Sequence, residues 1–376
     1  MTASASDHRQ RPTAAPRDRI EVELLRLYEE LLQTAPIGID ECFFDLGGHS
    51  LLAVQLLARI KKTLGVTIPL AWLFEQTVEE DQPVDVAYVR TLLHRAEATP
   101  DLSDSVLLRE AEGTPSVFFI SGAGGDVTPL FPLARALRAD RRCVGLQAPP
   151  LRPGEDEQAV ETLAEHHVRQ IQRLVPHGPY ALIGWSMGGA TAFEVASRLQ
   201  AAGEKVELLA LLDSFLGDQL PDYTEAEIVA MYTDELIRIH RADPADSTDS
   251  TDSEALAAEL PYSAGLERVL QEAAVRGLIP MESDLGYFRE RFAMYRAHVR
   301  ALGRYKPVDP VEQLALIYAG GPEDQVRAQA AACWSELSER PATVRFVDGD
   351  HYSMLREPAV AHVAAVVGDW LPDAGR

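Results

Sequence analysis

The chain has 376 residues, 58 acidic against 35 basic, and a formal net charge of −23. That balance excludes a nucleic-acid binder, which needs a basic face, and excludes docking on an anionic membrane surface. At roughly 150 residues per domain the length predicts two or three domains, and the 3 cysteines, Cys42, Cys143 and Cys333, are too scattered for a disulfide framework or a metal site.

Residues 1–18 are rich in Ala, Ser, Thr, Pro and Arg without periodicity, which predicts a solvated, disordered tail. The tail lacks the apolar core of a signal peptide, and no apolar run of about 18 residues follows it, so a soluble, cytoplasmic protein is expected. From Ile20 the apolar positions Ile20, Leu24, Leu27 and Leu31 share one helix face. A loop with Pro36 and Gly38 leads to the string Phe43-Phe44-Asp45-Leu46-Gly47-Gly48-His49-Ser50. A second helix is predicted with Leu52, Leu56, Leu57 and Ile60 inward, closing near Lys61-Lys62, where cations suit a helix C-terminus. Short apolar segments continue to about Leu93, giving a small all-helical bundle over 19–95. Residues 96–112, dominated by Ala, Glu, Asp, Ser and Pro, read as an interdomain linker.

Beyond the linker, short apolar runs alternate with helical segments. The runs Val117–Ile120, Cys143–Leu146, Tyr180–Ile183, Leu208–Leu212, Leu314–Tyr318 and Thr343–Val347 predict a mostly parallel α/β sheet over 113–376. Residues 216–310 break this rhythm with helical pattern and no strand, and include the polar tract Ser247–Ser253. An insertion of that size between two strands reads as a helical lid.

Gly184-Trp185-Ser186-Met187-Gly188-Gly189 lies between a predicted strand and a predicted helix, the context that a Gly-x-Ser-x-Gly nucleophile elbow requires. Small residues on either side let the serine occupy a strained turn, and the following helix N-terminus favours developing negative charge. The base is expected at His351, which Asp348-Gly349-Asp350 delivers just after the last strand; the other histidines do not follow a late strand. Two acids remain open: Asp213, directly after Leu208–Leu212, and Asp324, after the next strand. Asp348 and Asp350 stand too close to His351 in sequence to orient it from the far side of the ring. The expected oxyanion donors are the backbone N–H groups of Met187 and of Ala123, within the glycine-rich Ser121–Gly125. That loop is not a phosphate cradle, because no Gly-Lys-Ser/Thr or Gly-x-Gly-x-x-Gly follows it.

Ser50, at the mouth of a helix, would serve as a plain N-cap, but a cap requires neither two glycines nor two phenylalanines. Asp45-Leu46-Gly47-Gly48-His49-Ser50-Leu51 resembles the attachment motif of peptidyl carrier domains in nonribosomal peptide synthetases. The resemblance implies a four-helix carrier bundle with 4′-phosphopantetheine on Ser50, loaded by a phosphopantetheinyl transferase and served by upstream adenylation and condensation modules in cis or trans. Glu41 and Cys42 depart from the usual residues and leave the motif intact. The second domain resembles the type I thioesterases that terminate such synthetases, α/β-hydrolases matched here by Gly184–Gly189, Leu212-Asp213-Ser214 and Gly349-Asp350-His351. The resemblance favours Asp213 over Asp324 as the acid. Ser121 departs from the His-Pro that relatives often carry before the oxyanion loop.

The expected activity is transfer of an acyl or peptidyl chain from the carrier thiol on Ser50 to Ser186, then release by hydrolysis or macrocyclisation. An acyltransferase that passes the chain to another carrier and a non-catalytic docking platform are the alternatives. Met1 and the tail are compatible with a stand-alone didomain and with a piece of a longer synthetase.

Overall fold

A computed structural model describes residues 16–48, 50–66, 68, 73, 84–98, 105–109, 111, 115–137, 141–151, 158–240, 265–276 and 285–372. The chain divides into two compact units, Met1–Ser103 and Asp104–Arg376. The tail over 1–15 and the polar tract Ser247–Ser253 lie outside the described residues.

The first unit contains helices α1 (Arg19–Leu32), α2 (Ser50–Leu64) and α3 (Val86–Ala98). The periodic positions predict its packing, since Leu24, Leu27, Leu31, Leu56 and Ile60 are all buried. Tyr28 and Phe43 close the core edge-to-face, with ring centroids 5.0 Å apart. Asp18 caps α1 by accepting from Glu21 N. The buried Glu21 carboxylate in turn accepts from Arg17 and, across the bundle, from Arg90 at 2.9 Å. Three helices are therefore seen among the described residues.

The second unit is a seven-stranded sheet of β1 (Ser105–Arg109), β2 (Ser116–Ile120), β3 (Arg142–Leu146), β4 (Tyr180–Trp185), β5 (Val206–Leu212), β6 (Ala315–Ala319) and β7 (Thr343–Val347). The strand order is β1-β3-β2-β4-β5-β6-β7, and every pairing is parallel except β1 with β3. Strands β2 and β4 are buried along their whole length, which explains why they read as continuous apolar runs rather than alternations. Helices α4 (Phe131–Ala136), α5 (Val160–Leu174), α6 (Met187–Ala201), α10 (Gln325–Ser335) and α11 (Ala359–Trp370) belong to the α/β unit proper. Between β5 and β6 the described residues form no strand of the sheet and carry the helices α7 (Glu225–His240), α8 (Leu266–Val275) and α9 (Leu285–Arg304).

One expectation is corrected. The interdomain linker expected over 96–112 is narrower at both ends, because α3 runs to Ala98 and Ser105–Arg109 forms an edge strand; the two units divide between them, at Ser103/Asp104. The strand's apolar content is three residues, Val106, Leu107 and Leu108, set among acidic and polar neighbours. Pairing with β3 buries Val106 and Leu108, and this tertiary contact decides the conformation where local composition argues for a loop. No described helix is long and apolar enough to cross a membrane.

Candidate active site and carrier serine

The sheet delivers the elbow from its centre. β4 ends at Trp185, Ser186 turns with φ 57° and ψ −129°, and α6 starts at Met187. A positive φ is uncommon for a non-glycine residue, and here the neighbours enforce it. Ser186 N donates to Leu212 O at 2.9 Å, and Gly189 N donates back to Ser186 O at 3.0 Å. A Cβ on Gly184 would overlap the Gly188 carbonyl, and one on Gly188 would overlap the carbonyl oxygens of Ile120 and Ser121. The turn is this tight only because both positions lack a side chain.

The strand beside it ends in a second constrained residue. Asp213 has φ 42° and donates its N–H to Ile317 O at 2.7 Å. Its carboxylate is fully buried and accepts from His351 Nδ1 at 2.7 Å, Arg327 Nε at 2.9 Å, Arg327 Nη2 at 3.2 Å and Ala319 N at 3.2 Å. Burial alone would raise the pKa of this acid, but the bonds from His351 and Arg327 outweigh it and hold the carboxyl below its ordinary range. An ionised Asp213 can only accept, so Nδ1 of a neutral His351 carries the proton and Nε2 keeps its lone pair.

His351 is tied to the elbow by its neighbours. Its ring stacks on Trp185 with centroids 4.9 Å apart and planes 28° from parallel, while Trp185 Nε1 donates to His351 O at 3.0 Å. Tyr352 meets the imidazole edge-on at 5.1 Å. Asp350 accepts from Tyr352 N at 2.9 Å and Ser353 N at 2.8 Å, shaping the histidine loop rather than facing the ring. Asp324 takes a different part from Asp213. It N-caps α10, accepting from Val326 N and Arg327 N, and grips Arg327 Nη1 at 2.6 Å.

The loop Ser121–Gly125 follows β2 and runs past the elbow, where a Cβ on Gly122 would sit 3.6 Å from the Ser186 Cβ. Helices of the insertion press on it. His298 of α9 donates from Nδ1 to Ala123 O at 2.8 Å, because a carbonyl can only accept. Burial lowers the His298 pKa to about 4, so the ring is neutral near pH 7. A Cβ on Gly124 would meet the Glu235 carboxylate of α7, and one on Gly125 the Met294 sulfur of α9. Burial pushes the Glu235 carboxyl up to about 7, against the opposing pull of Arg291 and of the Tyr352 hydroxyl at 3.5 Å. A cavity of about 150 Å³ opens beside Trp185 and Tyr352, with Pro129, Pro132 and Arg356 on its other walls.

In the first unit Ser50 is the first residue of α2. The preceding loop is wound on Phe43: Gly48 N donates to Phe43 O at 2.9 Å, and a Cβ on Gly48 would overlap the Phe43 ring and carbonyl. Gly47 has φ 97°, in the left-handed region that favours glycine. The two glycines and Phe43 thus fix where the helix begins, and with it the place of Ser50. The first N–H groups of a helix have no intrahelical partner and favour the negative charge of a phosphodiester, so the residues present fit a phosphopantetheine there.

Sequence reasoning placed Ser186, Asp213, His351, Met187, Ala123 and Ser50, and the structure brings Asp213 and His351 into direct contact. It did not single out Arg327, Trp185 or Glu235, and it read His298 only as a surface or core residue. One signal for Arg327 was available: an arginine in the first turn of a helix stands against the macrodipole and calls for another reason to be there.

Comparison with known proteins supports both units. Residues 115–371 match the family described as thioesterase domain, and residues 22–80 match the phosphopantetheine attachment site. A dimodular nonribosomal peptide synthase of Bacillus subtilis is 37% identical over 209 residues, 55% of this chain and 8% of that protein. Chondramide synthase of Chondromyces crocatus is 30% identical over 359 residues, 93% of this chain and 9% of that protein. A solved holo four-domain nonribosomal peptide synthetase, bound to AMP and glycine, superimposes with a TM-score of 0.61 at 25% identity, covering 97% of this chain and 27% of its own. The chain thus spans less than a tenth of the length of these two relatives.

Proposed function

The chain belongs to the thioesterase domain family and carries a phosphopantetheine attachment site, and on that premise we propose that it removes an acyl or peptidyl chain from its own carrier unit through Ser186, His351 and Asp213. One observation carries the reading: the 2.7 Å bond between His351 Nδ1 and the buried Asp213 carboxylate, set against the strained serine turn by the Trp185 stack. Bound on Ser50, 4′-phosphopantetheine supplies a thiol that holds the chain as a thioester. His351 Nε2 takes the Ser186 hydroxyl proton as Oγ attacks the thioester carbonyl. The backbone N–H groups of Met187 and Ala123 hold the oxyanion. His351 then returns its proton to the departing sulfur, leaving an ester on Ser186. A water, or an amine or hydroxyl of the chain itself, resolves that ester with His351 again as base, giving a free acid or a macrocycle. Asp213 fixes the tautomer throughout and stabilises the imidazolium without taking its proton.

Phosphopantetheinyl transferase loading at Ser50 and supply of the chain by adenylation and condensation modules follow from the carrier assignment. The test uses a phosphopantetheinyl transferase to move the acyl-phosphopantetheinyl group of an acyl-coenzyme A onto Ser50 of the full chain, releasing 3′,5′-ADP, and follows the protein by intact mass spectrometry. The acyl mass disappears from the native chain with release of product, and it persists in Ser186→Ala. Normal release from Ser186→Ala would overturn the reading.

A further inference from the structure

Asp213 shares its carboxylate between His351, which becomes a cation in the reaction above, and a second group that is a cation throughout. Arg327 is that second group. It stands at the third position of α10, in the first turn, where a positive charge opposes the helix dipole. Its side chain is 21% exposed, and its three bonding nitrogens are divided between two acids. Nε and Nη2 form a two-pronged clamp on Asp213 at 2.9 and 3.2 Å, and Nη1 reaches Asp324 at 2.6 Å. The planar fork fixes the carboxylate plane, which a lysine could not do. Arg327 Nε and Ala319 N both donate to Oδ1, while Oδ2 accepts from His351 Nδ1 and Arg327 Nη2.

We propose that Arg327 is a positioning residue of the Ser186 chemistry: it holds Asp213 in one orientation and offsets the charge His351 faces, while Asp324 tethers Arg327 and tempers that offset. The proposal rests on the Ser186–His351–Asp213 reading. Its physical consequence is a pair of opposite effects. A buried carboxylate with no counter-cation pulls harder on the imidazole proton, so removing Arg327 keeps the site protonated to higher pH. Removing the Asp324 charge leaves Arg327 less compensated, so the site loses its proton at lower pH. The other groups facing this cluster stay constant between the two variants. They are Tyr318 of β6, whose hydroxyl donates to Ser214 O, and Tyr352 of the histidine loop, beyond which lie Glu235, Arg238 and Asp350.

The experiment uses the full chain and measures the rate of Ser186 labelling by a fluorophosphonate from pH 5 to 9, with peptide mapping of the label. Arg327→Gln is expected to move the acid limb of the profile up by about one unit, the lower end of what an adjacent charge does. Arg327→Lys recovers part of that shift by restoring the charge without the fork. Asp324→Asn moves the limb the other way by a smaller amount, and since asparagine caps helices well it leaves α10 intact. A merely structural role would lower labelling at every pH, in the same direction for both positions and with the limb unmoved. An unmoved limb in Asp324→Asn and in whichever Arg327 variant folds, with the native chain labelled normally, would overturn the inference alone. A native chain whose Ser186 takes no label would overturn the reading it rests on.

Discussion

Ser50 and Ser186 invite comparison because their local descriptions are so alike. Each stands at the start of a helix of 15 residues, Ser50 as the first residue of α2 and Ser186 as the cap of α6, and each has a Gly-Gly pair within three positions. Both stand at the end of a helix that carries its partial positive charge. They differ in what lies behind the turn. Ser186 is held at φ 57° between the end of a buried strand and the carbonyls of its neighbours, and the adjoining strand brings Asp213 and, through it, His351 to the same edge. Ser50 follows a loop fixed by a phenylalanine in a small helical core. A helix N-terminus is therefore enough to seat a phosphate ester, whereas an attacking oxygen also needs a strained turn and a base held from behind.

The largest effect expected separates the two serines outright. Ser50→Ala abolishes uptake of the acyl-pantetheinyl mass and leaves fluorophosphonate labelling of Ser186 unchanged, both read by mass spectrometry. If the alanine variant still took up that mass, the division of labour would fail. Next comes the base. Asp213→Asn keeps the shape of the site, but an amide oriented by Arg327 favours the wrong imidazole tautomer, so turnover of an acyl-N-acetylcysteamine thioester should fall by about 10⁴. Carrier loading at Ser50 in the same variant should match the native rate.

A third test addresses the turn itself. Gly188→Ala places a methyl group against the backbone oxygens of Ile120 and Ser121, which cannot step aside without disturbing β2. We expect a loss of about 1–3 kcal/mol in the stability of the second unit, measured by urea unfolding, as overpacking generally gives. Gly48→Ala meets the Phe43 ring and carbonyl, and should disturb only the first unit.

The comparison also explains what was legible in the sequence. The elbow and the carrier motif announce themselves because close approach demands glycine at fixed offsets from a serine, and that demand survives as a string of letters. The strands β2 and β4 were legible because burial on both faces leaves unbroken apolar runs. β1 was not, since its conformation comes from pairing with β3 rather than from its own composition. Arg327, 114 residues from Asp213, leaves only a cation out of place in the first turn of a helix, and the pressure of His298 and Glu235 on Ser121–Gly125 leaves no local pattern. Contacts made by the fold between distant elements carry no spacing rule for a single sequence to display.

The smallest expected effect comes from two buried carboxyls that titrate in opposite senses. Glu21 of the first unit is held down to about 2, chiefly by its bonds from Arg17 with support from Arg90. Its unfolded value is about 4.3, so the stability it contributes is present above that pH and is lost as the pH falls toward 2. Glu235 of the second unit lacks so strong a partner, and burial raises it to about 7. For a raised carboxyl the sign reverses: stability is fully present below about 4.3 and declines as the pH rises through 7. Arg291 opposes the shift, and the nearby charges of Asp126 and Asp234 reinforce it. Thermal unfolding of the full chain, followed unit by unit from pH 3 to 8, should therefore show the first unit gaining up to about pH 4 while the second unit softens from about pH 5 upward. Glu235→Gln is expected to flatten the pH dependence of the second unit alone and to leave that of the first unchanged. A slope in the second unit that survives this substitution would show that burial of Glu235 over Gly124 is not its source.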